Sequence, residues 1–530
     1  MFFSKRKLQN YIIDSYGKKP EVTYFAGDID LIKNYYNYKK DSSEKFLIDD
    51  ITWNDLNMDE IFKKINRGVS TAGEQYLYYQ LRNSTSTKNE FEERNNLINY
   101  LNEDEKTRND LQKHLVNLGR CRFVNFSKLF FEKNESFSDL TKYLFFFSLF
   151  VVSLVLSFFN IKLFIFMLPI LIFNSTYYFK LKKKIDAELF TVNYAVNTIN
   201  CAKKIKNMNV EIIDKYTSNM QTSFKNVKSI LKVKYLFNSD ADDIYQMICS
   251  FTYIDLIFYE LIKNKIKKYK EDLVVIFEDI GKLNAAIDVA SFRQYNQYCI
   301  PNIDFDINSR ANLCVKDIVH PLINNCVPNS LDTEKSILIT GSNATGKSTF
   351  LKTVFINAIL SQSICTCLGS EYKSTSFKFY TSMALKDDLF EGDSYYIAEI
   401  KSLKRIINSA ENGERIMCAV DEVLRGTNTV ERIAASSEIL NSLATKNLIC
   451  LAATHDIELC HILKNKLVSY HFNEYIENNV MKFDYKIKSG SAKTRNAIKL
   501  LEIMGYDKNT VDRADNLAKT YLSEGVWNEI

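Results

Sequence analysis

Proline is scarce in this chain. Five prolines and fifteen glycines among 530 residues leave few places where a helix or strand must stop, so long regular elements are expected, with no low-complexity linker and no internal repeat. The eleven cysteines are odd in number and form no paired framework, which reads as reduced thiols rather than disulfides. Cys365 and Cys367 lack a second Cys or His pair at zinc-ligand spacing, so no structural metal is assigned. Charge of one sign does not dominate either: a net +5 does not announce a nucleic-acid ligand by itself. The basic spots at Lys203, Lys204 and Lys206, and at Lys263, Lys265, Lys267, Lys268 and Lys270, read as solvated helix faces, because the Arg and aromatic interleaving of a phosphate-binding patch is thin. What the chain has is size, with 46% hydrophobic residues, enough for more than one domain.

Against this even background the stretch Gly341-Ser-Asn-Ala-Thr-Gly-Lys-Ser-Thr349 stands out as a complete phosphate-binding loop. Residues 336–340 form an apolar, β-branched run that predicts a buried strand, and 349–359 carry helical spacing of apolar residues. In that context Gly341 and Gly346 permit the tight backbone path that turns successive N–H groups of Ser342, Asn343, Ala344 and Thr345 toward phosphates, with the helix adding its positive end. Lys347 is expected to reach the β- and γ-phosphates, Ser348 to ligate Mg²⁺, and Thr349 to open the helix. A second apolar strand, 415–420, ends in Asp421-Glu422. The first carboxylate would complete the Mg²⁺ shell and the second would polarise an attacking water. A third, 447–453, ends in Thr454-His455-Asp456, which places His455 to sense a γ-phosphate. Candidate catalytic residues are therefore Lys347, Glu422 and His455, and the implied cofactors are ATP and Mg²⁺.

These motifs and their surroundings resemble one family, the MutS DNA mismatch repair ATPases. Asn343 in the loop is shared with it, while Ser342 and Thr345 depart from its Gly-Pro-Asn-x-Gly-Gly-Lys-Ser-Thr pattern. After the acidic pair the family carries Arg-Gly-Thr, and here Arg425-Gly426-Thr427 follows. Residues 381–400 are similar to the segment in which a Ser from one subunit caps the nucleotide of the other, with Asp387, Asp388, Gly392, Ser394 and Glu399 in register. The resemblance thus implies a homodimer with composite sites, in which nucleotide state becomes subunit geometry. Where the family places an aromatic residue after His320-Pro321, this chain has Cys326, which leaves base selectivity open. The closing part, 490–522, resembles the last helices of the MutS ATPase domain that wrap the partner subunit.

The resemblance extends forward. Residues 282–292 look like the last lever-helix segment of MutS and 50–82 like the start of its lever domain, although Ile61, Ile65, Tyr76, Leu77 and Leu81 show only the spacing of any helical bundle. Residues 1–45 read as an N-terminal arm, with basic Lys5, Arg6 and Lys7, and are too few to make a mismatch-reading domain. Phe91-Glu92-Glu93 and Phe130-Phe131-Glu132 fit the bare Phe-x-Glu wedge pattern by chance, inside helical sequence.

A soluble lever does not explain residues 143–159, an uncharged run rich in Phe, Leu and Val, followed by a similar run from 163 to 179 that contains Pro169. Seventeen residues of helix extend about 26 Å, at the short end for a bilayer core. The pair reads as a transmembrane helical hairpin, with buried core helices as the alternative. Lys142 before it and Lys180, Lys182, Lys183 and Lys184 after it put both ends in the cytoplasm.

The expected fold is an α/β P-loop ATPase domain of ABC/MutS type, 301–530, following a mainly helical lever region, 46–300, interrupted by a transmembrane hairpin at 143–179. The expected function is a MutS-like ATPase in the cell membrane, multi-pass, with its ATPase domain in the cytoplasm, coupled to double-stranded DNA. The alternative is an ATP-driven mechanical or regulatory protein acting on a membrane or protein partner without mismatch recognition. An ABC transporter is disfavoured: two short spans make no translocation path, and the Leu-Ser-Gly-Gly-Gln signature is absent.

Overall fold

A computed structural model of the chain describes residues 5–42, 45–121, 139–159, 164–231, 243–342, 345–383, 395–424, 426–477, 480–492 and 497–527. The chain begins with α1 (Lys5–Asp14) and α2 (Asp28–Ser42), then α3 (Asp50–Asp55), α4 (Met58–Ile65), α5 (Thr71–Arg82), α6 (Lys88–Glu103) and α7 (Glu105–Leu118). It continues through α8 (Leu140–Phe159), α9 (Phe164–Lys206), α10 (Glu211–Tyr216), α11 (Ser218–Leu231), α12 (Asp243–Thr252), α13 (Ile254–Lys268) and α14 (Lys270–Gln294) before the first strand among the described residues. Two compact units result: residues 1–44, 62–80 and 94–295 make a helical unit, and 45–61, 81–93 and 296–530 an α/β unit.

This division is not the contiguous one expected from the sequence. The arm residues 1–44 fall within the helical unit, whereas 45–61 and 81–93 fall within the α/β unit. The reason for the second assignment lies in side-chain chemistry around α3. Asp49 caps the helix by accepting the Thr52 N–H at 2.8 Å. Asp55 accepts from the Thr381 hydroxyl at 2.7 Å and from the Met383 N–H at 3.0 Å. Buried Trp53 lies under the Arg82 guanidinium, 4.2 Å from the ring centroid.

In the helical unit α14 is buried along most of its length, including the polar residues Asp279, Asn284, Asp288 and Arg293. A helix buried on every side must pair those groups. Arg293 donates to Asn99 and Asn95 at 2.8 and 2.9 Å. The Asn284 amide donates to Asp288 at 3.1 Å and accepts from Ser70 at 2.7 Å. Where α14 crosses α5 the backbones nearly touch: a Cβ on Gly281 would lie 2.5 Å from Cβ of Tyr76 and 2.9 Å from the Ala72 carbonyl. The two lever-like motifs, separate in sequence, therefore pack directly on each other.

Helix α8 is packed at its foot, around Tyr143 and Phe146, and mostly exposed beyond it. Among the described residues it is the one helix long and apolar enough to cross a membrane, and only 11% of its most apolar stretch is buried. Phe145, Val152, Val155, Phe158 and Phe159 are exposed, so a buried core helix does not describe α8. The second apolar run is not a separate arm ending at 179. It is the start of α9, a 43-residue helix that runs through Pro169 to Lys206, with Ile165, Leu168, Ile172 and Phe173 exposed.

The α/β unit holds β1 (Asn302–Asp304), β2 (Leu313–Ile318), β3 (Asn329–Thr333), β4 (Ile337–Thr340), α15 (Lys347–Ile364), β5 (Glu371–Thr375), β6 (Lys378–Ser382), α16 (Tyr395–Glu411), β7 (Ile416–Asp421), α17 (Thr429–Ala444), β8 (Ile449–Thr454), α18 (Glu458–Ile462), β9 (Val468–Glu477), β10 (Val480–Ser489), α19 (Ala497–Ile503) and α20 (Lys508–Glu524). One sheet has four strands in the order β1-β5-β2-β3, and the other six in the order β10-β9-β4-β8-β7-β6. From β9 to β6 the six-stranded sheet is parallel, and β10 pairs antiparallel to β9. Strands β4, β7 and β8 are buried throughout, as parallel strands covered on both faces must be. Because β4 lies beside β8 and β8 beside β7, the loops at their carboxyl ends open side by side.

Candidate nucleotide-binding site

The loop after β4 is held by its own polar atoms and by β9. The Thr345 hydroxyl donates to the Ser342 carbonyl at 2.8 Å, and the Ser342 hydroxyl donates to Glu474 on β9. Gly346 caps α15 at φ +101, a conformation that L side chains rarely adopt. Lys347, buried, donates to the Gly341 and Ser342 carbonyls at 2.7 and 2.8 Å, and lies 3.5 Å from Nε2 of His455. Ser348 and Thr349 face solvent at the first turn of α15. Asn343 and Ala344 lie outside the described residues, as do Asp387, Asp388, Gly392, Ser394 and Arg425.

The acidic pair comes to this loop from the end of β7. The Ser348 hydroxyl donates to Asp421 at 2.5 Å. A hydroxyl and a buried carboxylate form the hard-oxygen donor set that suits Mg²⁺, which keeps most of its waters and takes one or two protein ligands beside the phosphates. Glu422 leaves the strand at φ +58, a left-handed conformation uncommon for a side-chain-bearing residue, and its N–H is bound by the Ala453 carbonyl at 2.9 Å. Its carboxylate meets Nε2 of His455 at 2.7 Å. Lys347, Ser348, Asp421, Glu422 and His455, spread over more than a hundred positions, thus form one chain of contacts.

Three neighbours hold this cluster. Glu399, buried on α16, accepts the N–H of Leu424, so the residue that the resemblance aligned with a nucleotide-capping segment braces the loop after the acidic pair in its own chain. Leu424 itself sits at φ +60. Arg432 on α17 makes a two-pronged pair with Asp456, at 2.9 and 2.7 Å, beside His455. Asn428 caps α17 by accepting the Glu431 N–H at 2.9 Å.

Beside the loop lies a cavity of about 560 Å³, lined by Ile323, Cys326, Val327, Phe472 and Tyr485 together with 346–349. Its volume and mixed lining suit a heterocyclic base adjoining the phosphate loop. Cys326 does sit in this wall, and the strand β10 supplies the aromatic ring from elsewhere. A bulge between Phe483 and Ile487 carries Tyr485 at φ +51. Asn329 pins the bulge, donating to the Tyr485 carbonyl and accepting the Ile487 N–H, each at 2.9 Å. His320 is buried, with its pKa lowered to about 4 by that burial and by nearby Lys352. Its neutral ring accepts the Leu322 N–H at Nδ1, at 3.2 Å. Phe91, one of the chance wedge matches, is a buried residue packed against Phe305, and residues 130–132 lie outside the described residues.

Strand, loop, helix, acidic pair and mixed sheet define a P-loop, ATPase-type α/β domain, preceded by a helical region. Residues 337–521 match the family model for MutS domain V. The chain is 25% identical over 290 residues to the DNA mismatch repair protein MutS of Methanosarcina barkeri, covering 52% of this chain and 31% of that protein. It is 28% identical over 252 residues to the DNA mismatch repair protein MutS of Natronomonas pharaonis, covering 45% and 28%. With the protein of that name from Thermus thermophilus the identity is 28% over 218 residues, covering 40% and 27%. The matched segment thus spans less than a third of the length of these relatives.

Proposed function

We propose that this chain is a MutS-like ATPase that binds and hydrolyses ATP with Mg²⁺ in a composite-site dimer, coupled to double-stranded DNA and tethered to the cell membrane by α8 and the apolar start of α9. The observation that carries the reading is the convergence of Lys347, Ser348, Asp421, Glu422 and His455 at one loop. Lys347 neutralises β- and γ-phosphate charge, and the N–H groups of 342–349 cradle the phosphates. Ser348 and Asp421 hold Mg²⁺, which supplies charge neutralisation at the phosphates. Glu422 takes a proton from the attacking water, and His455 holds that carboxylate in place. Ser394 of the other protomer caps the nucleotide. The match to MutS domain V and the names of the relatives support the ATPase and DNA parts. The exposed apolar surface of α8 supports the tether, and with it the second reading, in which the dimerising engine acts on a membrane or protein partner. The basic residues Lys142, Lys180, Lys183 and Lys184 at the ends of the apolar runs favour a cytoplasmic ATPase domain in this reading.

Phosphate release by the detergent-solubilised chain, measured without DNA and with matched, mismatched or branched duplex at two salt concentrations, separates the readings. Stimulation that weakens with salt supports coupling to DNA. Turnover indifferent to every DNA transfers the reading to the membrane or protein partner, and turnover equal to that of Lys347→Ala refutes the ATPase.

A further inference from the structure

The foot of the apolar helices is built as a rigid joint. Asn174 on α9 is fully buried, and its amide donates to the carbonyls of Phe146 on α8 at 3.4 Å and Phe251 on α12 at 3.2 Å. Its own carbonyl accepts the Tyr253 hydroxyl at 2.8 Å. The Tyr253 ring stacks on Phe146 with centroids 5.2 Å apart. One turn further along α9, Tyr178 donates to Asp255 at 2.6 Å, and Lys182 lies 3.0 Å from the same hydroxyl. Helix α12 is thereby held against α8 and α9 at the level of Asn174.

At that level α12 turns Cys249, Ser250 and Thr252 inward and leaves Met247 and Ile248 exposed, at 56% and 47%. The outward face of α9 changes character at the same place. Ile172, Phe173 and Thr176 are exposed, and one to two turns on the same face carries exposed Lys180, Lys183 and Lys184. Lys182 is turned toward Asp255 and does not belong to that face. Apolar side chains beside a change from apolar to basic are what a headgroup layer meets, and juxtamembrane lysines favour acidic lipid.

We propose that α12 is a third membrane-contacting element, lying in the headgroup layer with Met247 and Ile248 dipping below it, while Lys180, Lys183 and Lys184 bind acidic phospholipid headgroups of the same leaflet. The inference rests on the membrane tether proposed above and names the surface it meets. A protein partner is disfavoured because the exposed apolar pair belongs to a helix held at the foot of α8 and α9, where the outward face of α9 passes from exposed apolar to exposed basic residues.

The test uses the full chain in nanodiscs of phosphatidylcholine, with or without phosphatidylglycerol, containing brominated lipid. Tryptophan is placed on α12 by Met247→Trp, with Ile248→Trp as a second reporter, and on α8 by Val155→Trp, the signal of Trp53 and Trp527 being subtracted. We expect quenching at both places, stronger at 247 in acidic discs. Lys180→Gln, Lys183→Gln and Lys184→Gln together should remove that acidic preference, by about fivefold in lipid contact for each lysine, and leave quenching at 155 unchanged. Quenching at 155 but at neither 247 nor 248 overturns the inference and spares the tether. Quenching at 247 that ignores both acidic lipid and the lysine substitutions overturns the lipid selectivity. Quenching nowhere refutes the tether and the inference together.

Discussion

Replacing Glu422 by Gln isolates one chemical property at the site. The carboxylate sits 2.7 Å from His455 Nε2, and Gln has the same length and an oxygen that can accept the same hydrogen bond. The left-handed backbone at 422 is held by the Ala453 carbonyl, which the substitution does not touch. Fold and nucleotide binding should therefore survive, with stability changing by less than about 0.5 kcal/mol. What disappears is the ability to accept a proton. Loss of a positioned general base lowers turnover by about 10²–10⁴-fold, or roughly 3–5 kcal/mol of barrier. Steady-state phosphate release should show that fall, while equilibrium binding of a fluorescent ATP analogue stays within about threefold of the parent. In the composite-site reading the variant also accumulates as an ATP-bound dimer, visible by light scattering. Glu422→Gln turning over at more than about a tenth of the parental rate would refute the general-base role, since an effect that small lies below the range of that mechanism. Retained turnover together with loss of binding would assign Glu422 to nucleotide affinity instead.

Other substitutions test the surroundings. Gly346→Ala forces a side chain into φ +101 and puts a methyl group 3.2 Å from the Tyr485 ring. A backbone penalty of about 1–2 kcal/mol in the phosphate loop should weaken nucleotide binding, and unchanged affinity in the same titration would show the loop to be more permissive than its geometry. Gly281→Ala pushes α14 away from Tyr76 and Ala72. Overpacking of this kind costs about 1–3 kcal/mol, so the helical unit should unfold several degrees lower in calorimetry, whereas an unaltered transition would contradict the close crossing. Burial pushes the Asp288 carboxyl up to about 8, with Arg67 only partly opposing it. The unfolded chain holds that proton only to about pH 4, so the stability this group contributes is complete below pH 4 and is lost as pH rises through about 8. Asp288→Asn should flatten the dependence of unfolding temperature on pH across that window and raise it at the alkaline end. A slope identical to the parent's would show that Asp288 is not the titrating group.

How much of this was legible in the sequence depends on distance along the chain. Gly346, Lys347 and Ser348 are contiguous with their strand and helix, and hydrophobic runs capped by Asp421-Glu422 and by His455 announce strand ends, because burial and backbone hydrogen bonding act within a few residues. The apolar run at α8 was likewise visible from composition alone. Long-range partners left no such trace. Tyr485 belongs to no motif in the sequence, and only the bulge held by Asn329 turns its ring toward Gly346. Glu399 stands out in the sequence only by its register with the nucleotide-capping segment, and only the packing of α16 delivers it to the Leu424 N–H. The short helix at Asp55 belongs with β6 because of two hydrogen bonds across more than three hundred positions, which no periodicity encodes.

The sequence by itself determined that a phosphate loop, an acidic pair and a long apolar helix exist, since each is a pattern of neighbours whose chemistry is local. Tertiary structure decided which of these groups meet. It brought Ser348 to Asp421 and Glu422 to His455, set α5 against α14 at Gly281, and joined α12 to the foot of α8 and α9 through a single buried asparagine. Those choices depend on the entropy of closing long loops and on the shapes of buried surfaces, quantities summed over the whole chain rather than written in any one stretch of it.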